Sequence, residues 1–176
     1  ESLLSAGRER ARDDRWGWKE PHTHIVMGRL RERLGRLKYI HVARNGLDMA
    51  HSRNQNQLKL WGRAFLGREP VVSPRDSLKF WCAVHRRILE TRRVMGADFL
   101  WLDYDDFCAR PAEGIATLAA FLELDVTGRV EPLLDLVSPP ESVGRFKAHG
   151  LEIFDPADVA YVAELGFDTS LPGAGR

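Results

Sequence analysis

Leu37-Lys38-Tyr39-Ile40-His41-Val42-Ala43-Arg44-Asn45-Gly46 is the stretch that decides the fold. From Leu37 to Ala43 the run is apolar, partly β-branched and of strand length, the signature of a central strand in a parallel sheet. It passes directly into Arg44-Asn45-Gly46, a turn signal that opens a helix expected from Leu47 to Phe65. Upstream, Ile25, Met27, Leu30 and Leu34 recur near helical spacing, with Arg29, Arg31, Glu32 and Arg33 on the other side, predicting an amphipathic helix over 24–36. Before that, Arg15-Trp16-Gly17-Trp18-Lys19 places aromatics on alternate positions and stops at Pro21, which cannot donate to a ladder. A short strand ending at Lys19 is expected there, with a polar helical segment over residues 1–12 ahead of it.

Downstream, Ser73 is placed to cap a long helix over 74–95 with Pro74 in its first turn. Asp98-Phe99-Leu100-Trp101-Leu102 reads as another strand. After Tyr104-Asp105-Asp106-Phe107 a helix opens at Pro111 and ends near Leu124. Shorter helices are expected over 128–136 and 156–165, separated by the loop SPPESVGRFKAHG. Helices alternating with strands are what a parallel α/β sheet requires.

Composition narrows the function. The 176 residues suit a single domain, and 44% hydrophobic with 29% charged residues is ordinary for a globular core. Lys and Arg (26) nearly balance Asp and Glu (25), which argues against a general nucleic-acid binder. Cys82 and Cys108 lack metal-site spacing and read as core or loop thiols, and no metal is expected. No apolar run is long enough for a membrane span, which takes about 18 residues. The first residues carry no apolar signal region, so a cytoplasmic location is expected. They also lack an initiator Met and open in mid-pattern, so a piece of a longer polypeptide is expected.

In open α/β sheets, ligands bind beyond the C-terminal ends of the strands, where turn amides face an anion. Lys19, Arg44 and Tyr104 fall at such ends. Ser52 follows Arg44 by eight residues, about two turns into the expected helix. A guanidinium fork and a hydroxyl so placed can both reach one phosphate. Each residue also has a plainer reading: Lys19 as a surface lysine, Tyr104 as a core-edge residue, and Arg44 with Ser52 as an ordinary helix opening.

The string Arg44-Asn45-Gly46-Leu47-Asp48-Met49-Ala50-His51-Ser52, preceded by KYIHVA, resembles the 3′-phosphate-binding segment of sulfotransferases. Trp18-Lys19-Glu20-Pro21 is similar to the Lys-acid-Pro of tyrosylprotein and many bacterial sulfotransferases. Trp101 to Phe107 with Arg110-Pro111 resembles the strand whose Tyr lies near the adenine. Ser142-Val143-Gly144-Arg145-Phe146-Lys147 resembles the C-terminal loop that folds over the nucleotide.

The resemblance implies one domain over residues 1–176 with a three-layer, P-loop-like α/β fold, N-terminally incomplete. It implies 3′-phosphoadenosine-5′-phosphosulfate (PAPS) as co-substrate and a hydroxyl or amine acceptor. Arg44, Ser52, Tyr104, Ser142, Gly144, Arg145 and Lys147 are then the nucleotide ligands. Lys19 would stabilise charge on the leaving oxygen, and His22 or Glu20 would take the acceptor's proton, with His24 behind them. The phosphate-cradling loop G-x-x-R-S-G-T that opens such domains does not occur in these 176 residues, nor does G-x-x-x-x-G-K-[ST] or G-x-G-x-x-G. Impaired turnover by this chain alone is expected.

Two other classes share features of the sequence. A non-catalytic nucleotide- or polyanion-binding module would use Arg29, Arg31, Arg33, Arg36, Arg44 and Arg53 as a basic face. A nucleotide kinase would need a Walker loop to accompany Asp103, Asp105 and Asp106. Trp61, Phe65, Phe80 and Trp81 are equally candidates for an acceptor pocket or for core. Neither the acceptor nor the oligomeric state is readable.

Overall fold

The computed structural model describes residues 16–172. The helix expected over residues 1–12 lies outside the described residues. The chain divides into two compact units, residues 1–37 and 38–176.

In the first unit, helix α1 spans Thr23–Leu34 and ends at Gly35. Residues 16–20, expected as a strand, have no regular structure. A strand exists only by pairing, and among the described residues the only paired strands are two in the second unit. Trp16 and Trp18 stack on each other instead, ring centres 5.5 Å apart, and Trp18 Nε1 donates to Thr23 Oγ1 at 3.1 Å. Lys19 therefore sits in an exposed segment without regular structure, not at a strand end.

The second unit is built on β1 (Tyr39–Ala43) and β2 (Phe99–Asp103), a parallel pair in the register Tyr39 to Phe99 through Ala43 to Asp103. Between them run α2 (Gly46–Ala50), α3 (Asn56–Leu66) and α4 (Pro74–Met95), with a 3₁₀ turn at Gly96–Asp98. After β2 come α5 (Tyr104–Ala109), α6 (Pro111–Leu122), α7 (Val130–Leu134), a 3₁₀ turn at Arg145–Ala148 and α8 (Pro156–Glu164). This mixed helix and strand arrangement with a small parallel sheet is compatible with an α/β fold.

Two local features depart from the sequence reading. The helix expected over 47–65 is broken after Ala50. Gln55 Nε2 donates to the carbonyls of Met49, Ala50 and Ser52, while Ser52 Oγ accepts from the Asn54 amide and Asn54 Oδ1 from the Asn56 amide. Short polar side chains in this run satisfy backbone groups that a continuous helix would have paired. The second departure is α5, which starts before Pro111 because Asp103 Oδ1 caps it, accepting from the amides of Asp105 (2.9 Å) and Asp106 (3.2 Å).

The long helix α4 is as expected. Ser73 Oγ accepts from the Asp76 amide, and Pro74 occupies the first turn. Leu78, Trp81, Cys82, His85 and Ile88, at spacings of three and four, form its buried stripe. Against this stripe pack Ala43, Leu47, Ala50, Phe146, Phe154, Tyr161, Val162 and Phe167. Trp81 is thus core, as is Phe80. Both cysteines are buried and unpaired. Cys82 points its thiol at the Asp158 carbonyl (3.8 Å), and burial pushes that thiol up to about 12.

At Gly46 the backbone of α2 comes close to this core. A Cβ there would stand 2.7 Å from the Trp81 ring, so helix α2 lies against α4 only because residue 46 has no side chain. Gly46→Ala is expected to destabilise the chain by about 1–3 kcal/mol, the usual cost of overpacking. A lowered urea midpoint in circular dichroism would show this; an unchanged midpoint would mean that Trp81 has room to move.

Candidate functional site

The register of β1 and β2 ends both strands side by side, at Ala43 and Asp103, so the residues that follow, Arg44 and Tyr104, are neighbours. The Arg44 guanidinium lies over the Tyr104 ring, 5.5 Å from its centre. Its Nη2 donates to Ser142 Oγ at 2.7 Å, and its Nε is 3.6 Å from Asp105 Oδ1. Nε and Oδ1 are both shut off from solvent without a hydrogen bond, so the pair is held by charge. Asp105 Oδ2 accepts from the Asn45 amide at 3.3 Å.

Asn45 caps α2, its Oδ1 accepting from the Leu47 amide (2.9 Å) and its Nδ2 donating to the Asp168 carbonyl (2.7 Å). From α2 the buried Asp48 carboxylate reaches the loop 142–149: Oδ2 accepts from the Gly144 amide at 2.8 Å and Oδ1 from the Phe146 amide at 3.0 Å. Gly144 has φ +74°, a conformation that favours glycine. Arg145 Nη1 donates to the His51 carbonyl (3.4 Å), and Lys147 Nζ pairs with Asp168 Oδ2 (2.7 Å). Hydrogen bonds from Lys147 and Ser170 hold the Asp168 carboxyl down at about 2, so this tie persists through the neutral range. The Tyr104 hydroxyl is pushed up by its interaction with the Cys108 thiol.

The expected ligands Arg44, Tyr104, Ser142, Gly144, Arg145 and Lys147 thus belong to one network around α2. The Ser52 hydroxyl does not join it among the described residues; the Ser52 amide donates to the Met49 carbonyl at 3.0 Å. This residue lies past the end of α2, where its hydroxyl accepts from the Asn54 amide at 3.2 Å. Within the first unit, Glu20 and His22 are brought together: Glu20 Oε1 is 2.7 Å from His22 Nδ1, and Oε2 accepts from the His22 amide at 2.6 Å. His24 turns its Nδ1 to the Pro21 carbonyl at 3.1 Å.

The family model described as the sulfotransferase family matches residues 2–128. This chain belongs to the sulfotransferase family. The matched span is well over half of the chain and contains Lys19, Glu20, His22, Arg44, Ser52 and Tyr104. The loop with Ser142, Gly144, Arg145 and Lys147 lies beyond it. No curated protein and no solved structure matches. Membership points to sulfonate transfer in general.

Arg29, Arg33, Arg36 and Arg53 are exposed and Arg31 is half-buried, whereas Arg44 is engaged at the strand ends. In this sulfotransferase chain the three aspartates proposed for a kinase each have local work: Asp103 caps α5, Asp105 faces Arg44, and Asp106 pairs with Arg110. Three residues of the network escaped the sequence reading. Asp48 and Asp105 stand inside quoted motifs, but their partners lie 96 and 60 residues away for the amides of Gly144 and Asn45. Asp168 follows the last helix with no motif around it.

His51 and His149 stack at the edge of the network, ring centres 4.1 Å apart and 13° from parallel, with the Phe154 ring edge-on to His51. Burial lowers the His51 pKa below 6.5, and the charges of His149 and Arg145 lower it further, against an opposing pull from Asp48. The unfolded chain therefore takes up this proton at a higher pH than the folded chain does. The stability so conferred is complete above about pH 6.5 and is lost as pH falls through the folded value. His51→Gln should flatten part of the fall in urea midpoint between about pH 7 and pH 5. Parallel pH profiles for the two proteins would remove His51 from the acid sensitivity.

Proposed function

We propose that this chain binds the 3′-phosphoadenosine end of PAPS at the β1 and β2 strand ends and serves sulfonate transfer to a hydroxyl or amine acceptor. The observation that carries this is the setting of Arg44. Its guanidinium is fixed on three sides, by the Tyr104 ring, the Ser142 hydroxyl and the Asp105 carboxylate, directly past the C-terminal end of a parallel strand. An arginine oriented in this way presents a preorganised cation to an anionic group, and its planar fork suits phosphate. Ser142, Arg145, Lys147 and the Gly144 turn line the same network, and Tyr104 offers a ring for the base. Ser52 completes the phosphate ligands by resemblance.

When bound, PAPS supplies the sulfonate and a phosphate leaving group, and the protein's task is to position an acceptor and to stabilise charge at the oxygen that leaves. Lys19 is assigned that charge. Glu20 and His22 form a pair in which the carboxylate accepts from His22 Nδ1, and His22 or Glu20 would take the acceptor's proton. In this proposal the two units are parts of one domain with a three-layer, P-loop-like sheet. The phosphosulfate-cradling string G-x-x-R-S-G-T does not occur in these 176 residues, so in this proposal the chain alone turns over poorly. No helix among the described residues is long and apolar enough to cross a membrane.

Calorimetric titration with adenosine 3′,5′-bisphosphate, and with adenosine 5′-monophosphate as reference, tests the site. The bisphosphate should bind more tightly. Arg44→Ala should remove about ten- to hundred-fold of that preference, the worth of a charge-assisted contact. Equal weakening toward both nucleotides and toward heparin would favour a polyanion-binding module instead. A folded chain that shows no preference for the 3′-phosphate would reject the site.

A further inference from the structure

The loop 142–149 has little regular structure of its own, only the 3₁₀ turn at Arg145–Ala148. Its centre is pinned by Phe146, 1% exposed in the core beside Leu47 and Ala50. What sets the backbone on either side of Arg145 is Asp48. Its carboxylate, 3% exposed, spends one oxygen on the Gly144 amide and the other on the Phe146 amide. A buried carboxylate is costly unless its hydrogen bonds are made, and so is a buried amide, so each depends on the other. Two residues before Gly144 stands Ser142, which receives the Arg44 guanidinium, and Arg145 reaches back to the His51 carbonyl. Asp48 is four residues from Arg44 on the element that follows the same strand. One short helix therefore bears on both halves of the nucleotide site.

We infer that Asp48 is a positioning residue for nucleotide binding, a clasp that holds the 142–149 strap in the setting where Ser142, Arg145 and Lys147 act together with Arg44. It rests on the nucleotide-binding function proposed above. Asp48 need not touch the nucleotide; it acts through the two strap amides.

Asp48→Asn is the test, because it keeps the shape and replaces one acceptor with a donor that faces an amide. The full chain is compared with Asp48→Asn, Ser142→Ala and the double variant, each checked for folding by circular dichroism. Trypsin cleavage after Arg145 and Lys147, read by mass spectrometry against cleavage after Arg53, reports on the strap. Titration with adenosine 3′,5′-bisphosphate reports on the site. In Asp48→Asn, strap cleavage should rise by about ten-fold or more and affinity should fall by about ten- to hundred-fold, the loss expected for hydrogen bonds to a charged group. Ser142→Ala should weaken binding in the parent chain but add little once Asp48 is replaced, since both act through one strap. A role in general stability alone would leave the Ser142 effect undiminished.

Unchanged strap cleavage in a folded Asp48→Asn overturns the clasp, and strictly additive losses of affinity overturn its link to the nucleotide. If the parent chain binds no nucleotide, the proposed site falls, and cleavage alone decides for or against the clasp. If Asp48→Asn does not fold, hydrogen exchange of the parent chain replaces it. The Gly144 and Phe146 amides should exchange at least ten-fold more slowly than in an unstructured chain, and more slowly still with adenosine 3′,5′-bisphosphate. Fast exchange overturns the inference.

Discussion

Parallel pairing of Ala43 with Asp103 governs everything that follows at the candidate site. In parallel strands both chains leave the sheet at the same end, so two residues far apart in sequence emerge together and their side chains must come to terms. Here they are a guanidinium and a phenol, with a carboxylate one residue further on. Slipping the register by a single residue would send Tyr104 to the opposite face and separate it from Arg44. The core enforces the register: Tyr39 and Phe99, paired across the strands, meet edge to face, and His41 lies against Trp101 and the buried His85. His85 turns its Nδ1 to the Trp81 carbonyl and its Nε2 toward His41, so polar contacts tie α4 to β1 on the face opposite Val42. Burial of this side also pushes the Tyr39 hydroxyl up to about 12.

Much of this was legible in the sequence, and the reasons are physical. Largely apolar runs of strand length gave away both strands, and the spacing of three and four gave away α4, because these periods follow directly from backbone geometry. Arg44 and Tyr104 were legible as strand-end residues once the strands were placed. The break after Ala50 was not, because it depends on where the Gln55 amide and the Ser52 hydroxyl turn, and the same residues would tolerate a continuous helix. Neither was the failure of Trp16 to Lys19 to form a strand, since alternation indicates the capacity to pair and says nothing of a partner.

The long-range network was the least legible part. The Asp48 carboxylate, the Asp105 contact and the Lys147 tie to Asp168 all join residues separated by at least 21 positions, the span from Lys147 to Asp168. Local propensity carries no information about such pairs. The motif around Arg44 contained Asp48 without a role; its use became visible once Gly144 and Phe146 were seen to point their amides at it.

The two unpaired thiols have a practical consequence. Cys82 lies in the middle of α4 with no exposed surface, and Cys108 is buried on α5, one turn beyond Tyr104. Thiolates, not thiols, are the reactive species, and burial keeps Cys82 protonated. A thiol-directed reagent can therefore modify each cysteine only while the surrounding structure is open. The two labelling rates would time separate events, loosening of the helix at the strand ends and exposure of the central core, making the native chain its own pair of clocks.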